Sequence, residues 1–364
     1  MKKAKTIKAI DIAKALNLSK ATVSLALNGK PGVKEMTRER VLNCKKRMEE
    51  GSFCQARSIC LVGTSSSSSV YPAIDMTKRF YLNMLSGIEA ELSRQGYSME
   101  IHFFPREQPE QMEQLVQELN RNGTAGVLLL ATYMEEQVLE QLRKLKIPCV
   151  IYDNDFESLQ FDQILAHNRA AIRSAIRFLI EQGHKRMAYF SCQDFGMYNI
   201  RKRNQAAEQM RAECFNKGIE LEIIPYENFD AFLKRLKQQK EEGVTAIVCS
   251  NIGVTERLVM ALLQMGLRIP GDISLVGIDP AEVEIPERLS LTYFDMRDDY
   301  RGSFAVKRLI ERIEGRVAEV LTTEIAPTFV RGETVKGAIY YDKRNETDTS
   351  NRELSSLCLC RVPL

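Results

Sequence analysis

Three polar residues stand directly after apolar runs: Asp153 follows CVIY, Asn251 follows IVCS and Asp279 follows LVGI, while Thr64 leads a serine run after ICLVG. Such a run reads as a buried strand, and the carboxyl ends of parallel strands open on clefts where loops and helix N-termini converge. Carboxylate and amide groups gathered there suit a hydroxyl-rich ligand held by paired hydrogen bonds. The same residue types cap helices, and at any single position capping is an equally good account. Ser65 to Ser69 lack the glycines and lysine of a P-loop and read as a loop rather than a phosphate cradle. Catalysis finds no support, since G-x-S-x-G, H-E-x-x-H and G-x-x-x-x-G-K-[ST] are all absent. His102, His167 and His184 are dispersed, the nine cysteines include no C-x-x-C, and Cys358 and Cys360 have no neighbouring histidine. No catalytic residue, metal ligand or cofactor is expected.

The elements that must position these residues alternate. Apolar runs at 59–63, 99–104, 125–131, 147–152, 187–191, 245–250 and 273–278 read as strands. Amphipathic segments near 79–95, 109–121, 134–145, 169–182, 199–217, 229–241 and 254–265 read as the helices between them. Regular β-α-β alternation implies an α/β fold of parallel sheets covered by helices, and the length accommodates two such sheets with a cleft between two lobes. No run approaches the ~18 apolar residues of a membrane span, and the N-terminus lacks the apolar core of a signal peptide, so the expected location is the cytoplasm. The tail at 341–364 is polar and is expected to be disordered.

Residues 1–50 differ in kind. Ile12, Ala13 and Leu16 repeat at helical spacing, Asn17 interrupts, and Val23, Ala26 and Leu27 form a second helical run behind Ser19, whose hydroxyl suits an N-cap. Val33, Thr37, Val41, Cys44 and Met48 give a third helix. This module holds ten lysines and three arginines against one aspartate and four glutamates, a net +8, whereas the rest of the chain is net −5. A basic helix-turn-helix is the footprint of a duplex-DNA binder, although three-helix modules also dock proteins.

The run DIAKALNLSKATVSLALNGK, Asp11 to Lys30, with VKEMTRERV after it, resembles the N-terminal domain of the lac repressor/galactose repressor (LacI/GalR) family of bacterial regulators. AGVLLLA, LKIPCVIYDND, AIRFLIEQGHKRMAYFS, TAIVCSN, ALLQMGLRIPGDISLVGID and PTFVRGET are similar, in order, to the family's effector-binding core, which is itself like periplasmic sugar-binding proteins. The resemblance implies a three-helix DNA-binding domain at 1–50, a shortened linker at 51–58 and a two-lobed core at 59–340. Lobe one would comprise 59–165 and 293–322, and lobe two 166–292 and 323–340. It implies base reading by Lys20, Ala21 and Leu25, backbone contacts and helix support from Thr22, Ser24 and Asn28, and Ser19 at the head of that helix. Lys20 could donate to guanine, while Ala21 and Leu25 offer apolar contact with a thymine methyl. In the cleft it implies effector contacts at Asp153, Asn251 and Asp279, and an arginine at the start of the helix after YFS; Arg201 and Arg203 are available, and Arg203 is favoured. The chain departs from the family pattern at Ile252, Pro280, Ala206 and His167-Asn168.

The implied function is a ligand-responsive bacterial transcriptional repressor that binds a near-palindromic operator as a homodimer, with a sugar or related small molecule as effector. The alternatives are an enzyme using the cleft, or a ligand-binding protein whose DNA module has degraded specificity. Relatives carry a Tyr-x-Pro-Asn element and a hinge helix whose leucine wedges into the minor groove. Here only ten residues separate Met48 from Ile59, with no Tyr or Pro among them and Gly51 disfavouring continuous helix. Little operator bending is therefore expected.

Overall fold

The computed structural model describes residues 7–16, 18–49, 58–65, 78–105, 110–132, 134, 140–156, 160–192, 197–225, 229–281 and 288–337. Three helices come first: α1 (Ala9–Leu16), α2 (Lys20–Leu27) and α3 (Glu35–Glu49). Their small core is Ile12, Ala13, Leu16, Val23, Ala26, Val41 and Cys44, all buried. Ser19 caps α2 by accepting from the Thr22 N–H at 3.0 Å, so the expected N-cap is the observed one. At the other end of α2, Arg38 donates to the Ala26 carbonyl at 3.1 Å and to the Lys30 carbonyl at 2.8 Å, fastening the turn that leads into α3.

The core holds two six-stranded sheets. Sheet one contains β1 (Ser58–Ser65), β2 (Ser98–Pro105), β3 (Gly126–Leu130), β4 (Cys149–Tyr152), β5 (Asp162–Ala166) and, far later in the chain, β11 (Thr322–Ile325). Its order is β11-β5-β4-β3-β1-β2 and every pairing is parallel. Sheet two contains β6 (Arg186–Ser191), β7 (Glu220–Pro225), β8 (Ala246–Cys249), β9 (Ser274–Ile278), β10 (Thr292–Asp295) and β12 (Thr328–Val330). Its order is β12-β10-β9-β8-β6-β7, with β12 alone antiparallel. The central strands β3, β4, β8 and β9 are buried throughout, as expected of strands covered by helices on both faces.

The covering helices are α4 (Lys78–Gln95), α5 (Gln111–Leu119), α6 (Asn168–Glu181), α7 (Tyr198–Phe215), α8 (Phe229–Glu241), α9 (Ile252–Gln264) and α10 (Asp298–Ile313). Helix α10 returns to sheet one and lies against α4 so closely that two glycines are required. A Cβ on Gly87 would stand 1.9 Å from the Asp299 carbonyl oxygen, and one on Gly302 would stand 2.6 Å from that of Met84. Near 134–145 the structure differs from the amphipathic reading. Glu140–Lys144 is a short 3₁₀ helix, and 135–139 lie outside the described residues.

The chain passes between the lobes three times: between β5 and α6, between β10 and α10, and between β11 and β12. The boundaries at 293 and 323 drawn from the sequence therefore need correction. Residue 293 lies within β10, which pairs with β9 of sheet two, and residue 323 within β11, which pairs with β5 of sheet one. Both crossings fall a few residues later, because each strand completes its pairing before the chain leaves its sheet. The linker at 51–57 and the tail at 341–364 lie outside the described residues; Ser58 and Ile59 already pair with Ser98 and Met99 in β1.

Candidate functional site

On the N-terminal module, the first turn of α2 faces solvent. Ser19, Lys20, Ala21, Ser24 and Asn28 are exposed, Thr22 and Leu25 are half-buried, and Val23 and Ala26 turn inward to the core. Helical spacing sets Lys20, Ser24 and Asn28 on one stripe. Thr22 and Ser19 share a hydroxyl contact at 2.8 Å, and the Asn28 amide donates back to the Ser24 carbonyl at 2.8 Å. These side chains steady the helix, and Lys20 and Ala21 are left outermost.

Between the lobes, the strand ends bring Asp153 and Asp279 into one buried cluster. Both have positive φ, 66° and 67°, a backbone state that aspartate tolerates better than most residues and that gathers at functional sites. Asp153, on lobe one, accepts from Arg301 Nη1 at 2.9 Å and, across the cleft, from Asn199 Nδ2 at 3.4 Å. Asp279, on lobe two, accepts from the Met296 N–H at 2.8 Å through Oδ1, and its Oδ2 stands 4.0 Å from Arg203 Nη2.

Arg203 is the buried arginine of the pair offered by the sequence. It donates from Nε to Asn168 Oδ1 and from Nη1 to the Ser250 carbonyl, each at 2.8 Å. Arg201 is exposed and lies beside the Tyr198 ring. Asn168 is held by its own bond to the Ala166 carbonyl, and the Ser250 hydroxyl accepts from the Cys192 N–H, so the Arg203 partners are themselves fixed. Asn251 caps α9, accepting from the Val254 N–H at 2.9 Å, so its amide oxygen is committed to the helix. Thr64, at the end of β1, is half-buried.

Two residues that sequence reasoning passed over complete the cluster. Arg301, on α10, is 1% exposed; it donates to the Met296 carbonyl at 3.0 Å, to Asp153 and to Asp298, and its guanidinium lies 4.8 Å from the Tyr152 ring centroid. Burial pushes the Asp298 carboxyl up to about 8, opposed by Arg301 and reinforced by Asp279 and Asp153. Asp279 is likewise raised by burial, against the pull of Arg203, the Met296 N–H and Arg301. Chemically this is a desolvated polar cluster able to exchange hydrogen bonds with a ligand. Among the described residues, no group of His, Cys, Asp and Glu is arranged to hold a metal, and no helix is long and apolar enough to cross a membrane.

A capped, basic helix-turn-helix ahead of a two-lobed α/β core with polar strand ends facing a cleft defines a DNA-binding regulator with a ligand-binding body. Residues 6–49 match the family of bacterial regulatory proteins, lacI family, and residues 176–335 match the periplasmic binding protein-like domain. The chain thus joins a lacI-family DNA-binding domain to a periplasmic binding protein-like domain, the build of a bacterial ligand-responsive transcriptional regulator. It is 25% identical to the HTH-type transcriptional regulator KdgR of Bacillus subtilis (strain 168), over 86% of this chain and 94% of that protein. It is 28% identical to the HTH-type transcriptional repressor PurR of Vibrio vulnificus (strain CMCP6), over 90% and 98%. Its fold is shared with the transcriptional regulator CelR–cellobiose complex (TM-score 0.61, 21% identity, 91% of this chain and 100% of that one). The lac repressor dimer bound to operator and the anti-inducer ONPF shares it as well (TM-score 0.63, 18% identity, 91% and 100%).

Proposed function

We propose that this regulator is a cytoplasmic repressor and not an enzyme. It binds a near-palindromic operator as a homodimer and is controlled by a sugar or related polar small molecule held between its lobes. The observation that carries the reading is the exposed first turn of α2, with Lys20 outermost on a module of net charge +8. Two-fold pairing finds support in exposed apolar side chains on both lobes. Leu82 of α4, 65% exposed, and Ile101 and Phe103, which share one face of edge strand β2, would cover one another across a two-fold axis, with Met260 and Leu263 of α9 doing so on lobe two. The effector is assigned to the cleft because Asp153 is bonded from both lobes at once, so a ligand that competes for it changes how the lobes sit.

The test is to sequence the DNA fragments enriched by the purified protein. An inverted repeat is expected, bound less tightly as salt rises, and Lys20→Ala should relax preference at one base pair per half-site by roughly 1–3 kcal/mol. Enrichment without a repeat, or affinity indifferent to salt, refutes the proposal.

A further inference from the structure

We infer that the molecule recognised between the lobes carries a cationic amino group, with Asp279 and Asp298 as the residues that select it; the inference rests on the effector reading above. The argument begins with charge. Three buried carboxylates, Asp153, Asp279 and Asp298, share the cluster with two buried guanidiniums, Arg203 and Arg301. Among the described residues, one negative charge is in excess. The nearest further charge among them adds to it, since Asp295 faces Asp279; at Tyr198, Asp155 and Glu324 are met by Arg169, Arg201 and Lys202, which leaves the inner excess unaltered.

The hydrogen bonds point the same way. All three nitrogens of Arg301 donate within the protein, and two of the three nitrogens of Arg203 do. Among the described residues, the second oxygens of Asp279 and Asp298 accept no hydrogen bond. The 4.0 Å between Asp279 Oδ2 and Arg203 Nη2 is too long for one, and Asp153 Oδ2 receives only the 3.4 Å contact from Asn199. Most of the unspent capacity in this cluster therefore belongs to carboxyl oxygens, and a ligand that supplies a charged donor fills it best once Asp298 gives up its proton. A carboxylate ligand would have to displace the acidic partners of two arginines and would add to the excess. The Asn251 oxygen caps α9, and its NH2 group, one residue beyond the Ser250 carbonyl that holds Arg203, remains for hydroxyl groups on the same molecule.

Without a ligand the excess is met by a proton on Asp298, whose carboxyl burial raises to about 8. An ammonium group entering beside Asp298 takes that role, and the proton leaves to solvent. Amine binding at neutral pH should thus release about one proton per ligand, whereas a neutral ligand releases none.

The experiment is a thermal shift series on the full chain with matched sets differing in one functional group: glucosamine, glucose and glucuronate; ethanolamine, ethylene glycol and glycolate; putrescine, 1,4-butanediol and succinate. Calorimetry in two buffers of different ionisation enthalpy then counts protons for each member that binds. In any set that stabilises the protein, the amine should bind on the order of tenfold more tightly than its hydroxyl counterpart and release a proton. Asp298→Asn should abolish the release and reduce that preference, and the proton count on the unaltered protein stands even if the variant does not fold. A hydroxyl or carboxylate member that binds best, or an amine that binds without proton release, overturns this inference and leaves the effector reading in place. Failure of the effector reading itself would show as no stabilisation by any member of any set, which overturns both.

Discussion

Arg203 offers the sharpest test of the cleft, because its side chain is a tie within lobe two as well as a ligand candidate. Arg203→Met keeps most of the apolar stem and removes two 2.8 Å bonds from a buried cation, to Asn168 Oδ1 and to the Ser250 carbonyl. It also leaves Asp279 without its nearest guanidinium. Hydrogen bonds to charged groups contribute roughly 1.5–3 kcal/mol each, and breaking a buried charge pair costs a similar total, so the variant should lose about 3–5 kcal/mol. In a body of this size that corresponds to a melting temperature lower by roughly 10 °C. The pH dependence separates the two contributions. Burial already raises the Asp279 carboxyl, with Arg203 opposing, and removing Arg203 raises it further. A raised carboxyl adds stability below its unfolded value and loses it as pH climbs through the folded one, so the deficit should be wider at neutral pH than in mildly acidic buffer. Urea denaturation at both pH values measures it. A loss below about 1 kcal/mol that is equal at the two would mean that Arg203 does not hold this cluster together.

Three further outcomes follow from other elements. Ser19→Ala removes the bond to the Thr22 N–H and should destabilise α2 by about 1 kcal/mol, seen as roughly fivefold faster hydrogen exchange in that helix; unchanged exchange would mean the cap contributes nothing. Asp162 is pushed up by burial but held below the usual carboxylate range by its bonds from Arg312, Arg308 and the Leu321 N–H. It therefore contributes stability above its unfolded pKa of about 3.9 and loses it as pH falls through the lowered value, and Asp162→Asn should flatten the acid limb of the denaturation curve; an unchanged limb assigns acid sensitivity elsewhere. Operator DNA should be bent little, given how few residues join α3 to β1, and a circular-permutation gel with a sharp central kink would contradict that.

What the sequence makes legible follows from physical signal strength. Central strands such as GVLLL and AIVC are continuous apolar runs because both of their faces are covered, and the capped helix-turn-helix declares itself through Ser19 and its two apolar stripes. The strands that escaped notice are short or lie near edges: DQILA at β5 has only three apolar residues and pairs with edge strand β11, ELEIIP at β7 alternates, and TYFD, TTEI and TFV at β10 to β12 carry too few apolar residues to stand out. In the cleft, strand-end position singles out Asp153 and Asp279, and the structure brings them together with Arg203. It also realises the capping alternative for the Asn251 oxygen. Arg301 was hidden because RDDYRGS reads locally as a solvated helix start. Only the fold brings its guanidinium to a carboxylate 148 residues away.

The crossing between β10 and α10 has a mechanical meaning. Met296 lies within it, and its peptide groups are gripped from both sides: its N–H by Asp279 of lobe two, its carbonyl by Arg301 of lobe one. The other two crossings are equally brief, His167 alone between β5 and α6, and two residues between β11 and β12. Three such short tethers resist sliding of one lobe over the other and leave pivoting as the soft motion. Since the peptide at one pivot is bonded to cleft residues, whatever occupies Asp279 or Arg301 also sets the stiffness of the joint. Occupancy and compliance are then one mechanical variable, and a substitution in the cleft alters how readily the body flexes even when no ligand is bound.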